Sequence, residues 1–241
     1  MNLPNEKKVK KRRKKPTAKE VFDKRVSKSL TGKNSNETID IFSNLSFSYF
    51  YLLSKKYKLK ERQISSFIGL KDEFFVKTLV DQIIGELGLE NKIYCRKITA
   101  NENAGLKSRK ISFKKKDKIL TVGGDCVIFR SSDDKPVMII ECKEYIDIIR
   151  MKELIGESRI IKDEIAGSER LLGEIKFCVF SEVLELTEAW ANLLKNSDLK
   201  YKIDEIFIIR DGKRKDKDNK PIKNNLLGFK KYISKFLMSI K

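Results

Sequence analysis

Residues 136–142 (PVMIIEC) are almost wholly apolar, and directly at their end stand Glu141 and Lys143, with Cys142 between them. The run is short, and the turn chemistry of residues 131–135 (SSDDK) bounds it on one side. Such a segment reads as a strand buried on both faces. A strand of that kind needs neighbours in a sheet and helices above and below it, which places the chain among α/β folds.

The flanking sequence supplies those partners. Residues 18–30 read as a short helix, 37–57 as a buried helix and 59–68 as another short one. Residues 71–87 carry Phe74, Phe75, Leu79, Val80, Ile83, Ile84 and Leu87 at helical spacing, with Gly88 as a stop. Residues 92–98 and 118–130 read as strands, the second interrupted by Gly123-Gly124, with a loop at 101–110. A long helix over 145–166 separates the apolar strand from another at 175–180, which implies a parallel crossover. A helix at 182–195, a strand at 204–209, a basic loop at 211–224 and a closing helix at 226–240 complete the chain. The expected architecture is a mixed central sheet flanked by helices, with an N-terminal helical extension. Its divisions are a disordered basic arm (1–17), a helical recognition or dimerisation region (18–70) and a core with C-terminal additions (71–241).

Charge is unevenly spread. The formal net charge is +19, concentrated in residues 1–35, 107–118 and 210–223, so the remaining body is nearly neutral. Clustered Lys and Arg suit a polyanion, because contacts to phosphates release condensed counterions. There is no His, and none of the four cysteines (Cys95, Cys126, Cys142, Cys178) forms a CxxC pair. That excludes Ser-His and Cys-His nucleophile systems and argues against zinc. Buried free thiols fit a cytoplasmic protein. No apolar run is long enough for a membrane span, and no apolar signal core follows the basic N-terminus.

The chemistry concentrates around the apolar strand. Side chains alternate along a strand, so Glu141 and Lys143 share one face and Cys142 takes the other. Asp125 lies on the preceding strand of the hairpin, so two carboxylates and one ammonium can converge. Two carboxylates suit a hard divalent ion. Such an ion lowers the pKa of bound water and polarises a phosphate, and a nearby Lys can orient or deprotonate the water and stabilise developing negative charge. The competing account makes Glu141 and Lys143 the solvated end of the strand.

Gly124-Asp125, then PVMIIECK, then a long helix resembles the core of the PD-(D/E)XK nuclease superfamily over residues 71–180, with Gly124 where the family usually has Pro. The resemblance implies a Mg2+-dependent deoxyribonuclease in which Asp125 and Glu141 bind Mg2+ and Lys143 is the catalytic lysine. It also implies a Glu from the first core helix, for which Glu73 is preferred over Glu86. Glu153 and Glu157, one turn apart on the next helix, can either support the site from behind its direct ligands or pair with Arg150 or Lys162, and the structural reading is preferred for both. The absence of a GxxxxGK[ST] motif and the extra helical and basic regions favour a type II restriction endonuclease acting on double-stranded DNA as a homodimer. Arg150, Lys152, Lys107, Arg109, Lys110 and Arg214 are the candidate DNA contacts. The alternatives are a structure-selective or repair nuclease, and a non-enzymatic basic nucleic-acid-binding protein.

Overall fold

The computed structural model describes residues 16–44, 52–98, 111–115, 118–122, 124–166, 175–187, 189–190, 203–214 and 220–240. The basic segment 1–15 and the loop at 101–110 lie outside them. The chain opens with helix α1 (Ala18–Phe22), a π-helical stretch (Asp23–Ser27) and α2 (Lys28–Leu30), followed by α3 (Ser35–Asn44) and a second π-helical stretch (Leu52–Lys56). Thr17 caps α1 by accepting from the Glu20 amide, while the Glu20 carboxylate accepts from the Thr17 amide. Helix α4 (Glu61–Glu86) is followed by strands β1 (Ile93–Ile98), β2 (Ile111–Lys115), β3 (Lys118–Val122), β4 (Gly124–Arg130) and β5 (Lys135–Ile146). Then come α5 (Ile148–Ala166), β6 (Lys176–Leu184), β7 (Glu205–Ile208) and α6 (Lys223–Ser239).

Five strands form one mixed sheet in the order β1-β4-β5-β6-β7. β1, β4 and β5 pair antiparallel, whereas β5, β6 and β7 run parallel. The apolar strand is thus the middle strand. Its even-numbered residues Met138 and Ile140 join a core with α4, α6 and the N-terminal helices. Its Ile139 joins a second core with Met151, Leu154 and Ile161 of α5. The chain is an α/β protein with helices on both faces of a mixed sheet, as the apolar run demanded. No described helix is long and apolar enough to cross a membrane.

Several elements differ from the sequence expectation. Residues 59–68 and 71–87 form the single helix α4, because Ile64, Phe67, Ile68, Phe75, Val76 and Leu79 continue one buried stripe through Gly69. The helix does stop where expected, with Gly88 at φ +63°. The segment 118–130 is two strands in two sheets: β3 pairs only with β2, a strand absent from the sequence reading, while β4 enters the main sheet. β5 runs on to Ile146, which delays α5 to Ile148. The expected helix at 182–195 is overturned at its start. β6 extends to Leu184, with Phe180, Ser181, Glu182 and Val183 all buried in the sheet.

A chain of aromatic contacts ties the N-terminal helices to the rest. Phe42 of α3 stacks on Phe75 of α4 at 3.8 Å, Phe75 meets Phe180 of β6 at 5.7 Å, and Phe180 meets Phe229 of α6 at 5.1 Å. Beside this stack lies a buried ionic lattice. Lys71 Nζ sits 2.6 Å from Asp72 Oδ1 and 2.7 Å from Glu182 Oε1, and Arg210 Nη2 is 3.2 Å from Glu182 Oε2. Burial pushes the Asp72 carboxyl up, against the pull of Lys71. Removing one member of a buried lattice leaves uncompensated charge, which typically costs about 3–5 kcal/mol. Lys71→Met should therefore lower the free energy of unfolding by about that amount in urea denaturation; a loss below ~1 kcal/mol would show that the lattice adds little.

Candidate active site

β4 and β5 form the hairpin that carries the expected carboxylates. The register pairs Cys126 with Ile140 and Val127 with Ile139, so one further step of the ladder sets Asp125 beside Glu141. The Cys142 amide donates to Asp125 Oδ2 at 2.9 Å, which fixes that carboxylate against the β5 backbone. Glu141 is 8% exposed. Lys143 Nζ donates to Glu141 Oε2 at 3.0 Å. Cys142, on the opposite face, packs against the α4 side of the core. The three residues read from the sequence therefore stand together at the end of the buried strand.

Gly124 makes that approach sterically feasible. A Cβ placed there would stand 2.5 Å from Val127 Cγ2 and 3.3 Å from Ile139 Cγ2. Both are stiff β-branched neighbours, so the position before Asp125 admits no side chain without repacking.

Glu73, on α4, joins the same cluster. Its Oε2 accepts from Lys97 Nζ of β1, and the same ammonium lies 3.7 Å from Asp125 Oδ1. Glu86 is elsewhere: Ser35 donates to it from both its amide and its hydroxyl, at 2.8 and 2.6 Å, and Lys230 lies 3.7 Å away. Lys97 was not singled out in the sequence. In IYCRKI it looks like one more basic residue, although alternation along β1 sets it on the face of Ile93 and Cys95, toward α4.

The electrostatics of the cluster are unbalanced. Burial pushes Glu141 up to about 7 from an ordinary 4.5, and the Asp125 charge adds to the rise against Lys143. Burial also raises Glu73, opposed by Lys97 and reinforced by Asp125. Burial pulls Lys143 down, but Glu141, Asp125 and Glu157 outweigh it, so the ammonium is held above its ordinary value. Glu157 of α5 thus acts on the site through its charge, while Arg150 pairs with Asp147 at 3.5 Å. Among the described residues no three Cys, Asp or Glu groups gather closely enough to cage a metal ion; the carboxylates are engaged by Lys97 and Lys143 instead.

The expected DNA contacts divide. Arg150 and Arg214 both pack on the ring of Tyr145, at 3.7 and 4.4 Å. By strand alternation Tyr145 shares the face of Glu141 and Lys143. Arg214 Nε also donates to Glu144 Oε1 at 3.3 Å. Lys152 is exposed, 5.9 Å from the Trp190 ring. Lys107, Arg109 and Lys110 lie outside the described residues.

A carboxyl with a raised pKa in the fold stabilises the protein below its unfolded pKa and loses that contribution as pH climbs through the folded value. For Glu141 the window runs from about 4.5 to about 7. Relative to Glu141→Gln, the parent should lose on the order of 3 kcal/mol between pH 5 and pH 8. Paired urea titrations check this, and a difference that stays constant with pH would contradict it.

No family model matches the chain, and no curated protein matches it, so its activity has to be read from this cluster.

Proposed function

We propose that this chain is a Mg2+-dependent DNA endonuclease of the PD-(D/E)XK type, with a restriction-endonuclease-like core, acting as a homodimer at a specific sequence. One observation carries the reading. Asp125, Glu141 and Lys143 meet at the end of a strand that is otherwise core, where charged groups are costly unless they serve a purpose. Glu73 from the first core helix reaches the same place.

The donor set fits a hard cation. Asp125 and Glu141 offer oxygen ligands only, and burial, reinforced by the Asp125 charge, raises Glu141 against the pull of Lys143. Asp125 and Glu141 would hold Mg2+, which when bound supplies a Lewis acid for the phosphate and an acidified water. The protein's own groups do the rest. Lys143 remains an ammonium, so its part is to shield negative charge developing on the phosphoryl oxygens rather than to remove a proton. The Cys142 amide holds Asp125 in place. Arg150 and Arg214, stacked on Tyr145 two residues past Lys143, offer cations along the path of the substrate strand. Lys152 would add a phosphate contact from the exposed side of α5. A twofold pair of chains would bring two such centres to opposite strands of a palindrome.

The test is incubation with phage DNA in Mg2+ and, separately, in EDTA. Discrete fragments that need Mg2+ are the expected result. Smearing, or cutting confined to branched junctions, would replace the restriction reading with a nonspecific or structure-selective nuclease. Binding without cutting under any divalent ion would leave only a nucleic-acid-binding protein. Glu141→Gln and Lys143→Ala should each reduce the cleavage rate at least ~100-fold, because each removes charge stabilisation realised at the transition state. Both variants should still bind DNA.

A further inference from the structure

We propose that Tyr145 is a positioning residue for the substrate strand: its ring gathers Arg150 and Arg214 into a clamp for the phosphates beside the one that Lys143 faces. This rests on the reading of Asp125, Glu141 and Lys143 as a site that meets a DNA strand.

The three residues come from different parts of the chain. Tyr145 is on β5, Arg150 is in the first turn of α5, and Arg214 follows β7. Both guanidiniums nevertheless stand over one ring, at 3.7 and 4.4 Å from its centroid. Two like charges repel at such a place, and the negative face of the ring is what draws each of them in. Each has a second anchor on a carboxylate. Arg150 Nη1 lies 3.5 Å from Asp147 Oδ2, and the other Asp147 oxygen accepts from the Arg150 amide at 2.8 Å. Arg214 Nε donates to Glu144 Oε1 at 3.3 Å, while its amide donates to Glu185 Oε1 at 2.5 Å. Ring and carboxylates together order two long side chains before any ligand arrives, which lowers the cost of ordering them on binding.

The anchored cations still have hydrogen bonds to give. A guanidinium carries five N–H groups, so one pairing leaves donors for phosphate oxygens. About a third of each side chain is exposed, 35% for Arg150 and 36% for Arg214, which a purely structural bridge does not need. The backbone also leaves room for a strand. The ladder with β4 reaches only Ile140, whereas the ladder with β6 continues to Ile146. Lys143 and Tyr145 lie in that overhang and share a face, two residues and therefore about 7 Å apart. Phosphates on one DNA strand advance 3.4 Å along the axis, so the clamp falls within one or two nucleotides of the phosphate at Lys143.

The experiment is fluorescence anisotropy of a labelled mixed-sequence duplex with the full chain, in EDTA, at KCl from ~50 to ~200 mM, for the parent, Tyr145→Leu, Tyr145→Phe and Arg150→Gln/Arg214→Gln. Circular dichroism and urea denaturation follow the fold, and Tyr145→Ile replaces Tyr145→Leu should the latter misfold. Each phosphate contact contributes about 0.9 to the slope of log K against log salt. The double arginine variant should therefore flatten the slope by about 2, and Tyr145→Leu by at least ~1, with affinity at least ~10-fold weaker at the lower salt. Tyr145→Phe keeps the ring and should match the parent. A ring that serves only to pack would change stability in urea and leave the slope alone, which would overturn the proposal. Loss of affinity in Tyr145→Phe equal to that in Tyr145→Leu would overturn it too. A parent that binds the duplex with these slopes but never cuts DNA in Mg2+ would sustain the clamp and sink the nuclease reading, and a parent that binds no duplex would sink both.

Discussion

The burial of β5 on both faces is the constraint to which the rest of the fold answers. A strand with core above and below it must be paired on both edges, and β4 and β6 do this, one antiparallel and one parallel. The parallel partner requires a crossover, and α5 supplies it while covering one face. The other face requires a long apolar stripe, and α4 provides that over 26 residues. What remains is the end of the strand, where apolar side chains give way to Glu141 and Lys143. The sheet supports them there but does not neutralise them.

The molecule handles buried charge in two ways. In the core, Lys71, Asp72, Glu182 and Arg210 interlock, with each cation set against a carboxylate. At the end of β5, burial and the Asp125 charge raise Glu141 to about 7 against the pull of Lys143. A carboxylate held in the wrong charge state for its surroundings stores free energy that a cation can release, which is why strongly shifted groups cluster where chemistry happens.

Much of this was legible in the sequence. The apolar run ending in Glu141-Cys142-Lys143 announced the central strand, and alternation assigned its two faces before any coordinates. The stripe from Phe75 to Ile84 and the stop at Gly88 were equally plain. Other features depend on distant partners. Glu182 and Arg210 look like ordinary charged residues, and their burial rests on their pairing with each other and on Lys71 from another element. Glu182 in particular favoured a helical reading of residues that the sheet in fact claims. Lys97 carries no local sign of its role, since alternation assigns its face but not the Glu73 and Asp125 that other elements bring to it. Tyr145 looked like the start of a helix because β5 outruns its apolar stretch, and its contacts come from α5 and from residue 214, far along the chain.

One turn of α4 holds three consecutive charged residues with different fates. Lys71 and Asp72 turn inward to the ionic lattice, and Glu73 turns outward to Lys97 and Asp125. The carboxylate presented to the cleft is therefore the immediate neighbour in sequence of a pair locked into the interior, so a change to either set of partners is felt by the same helical turn.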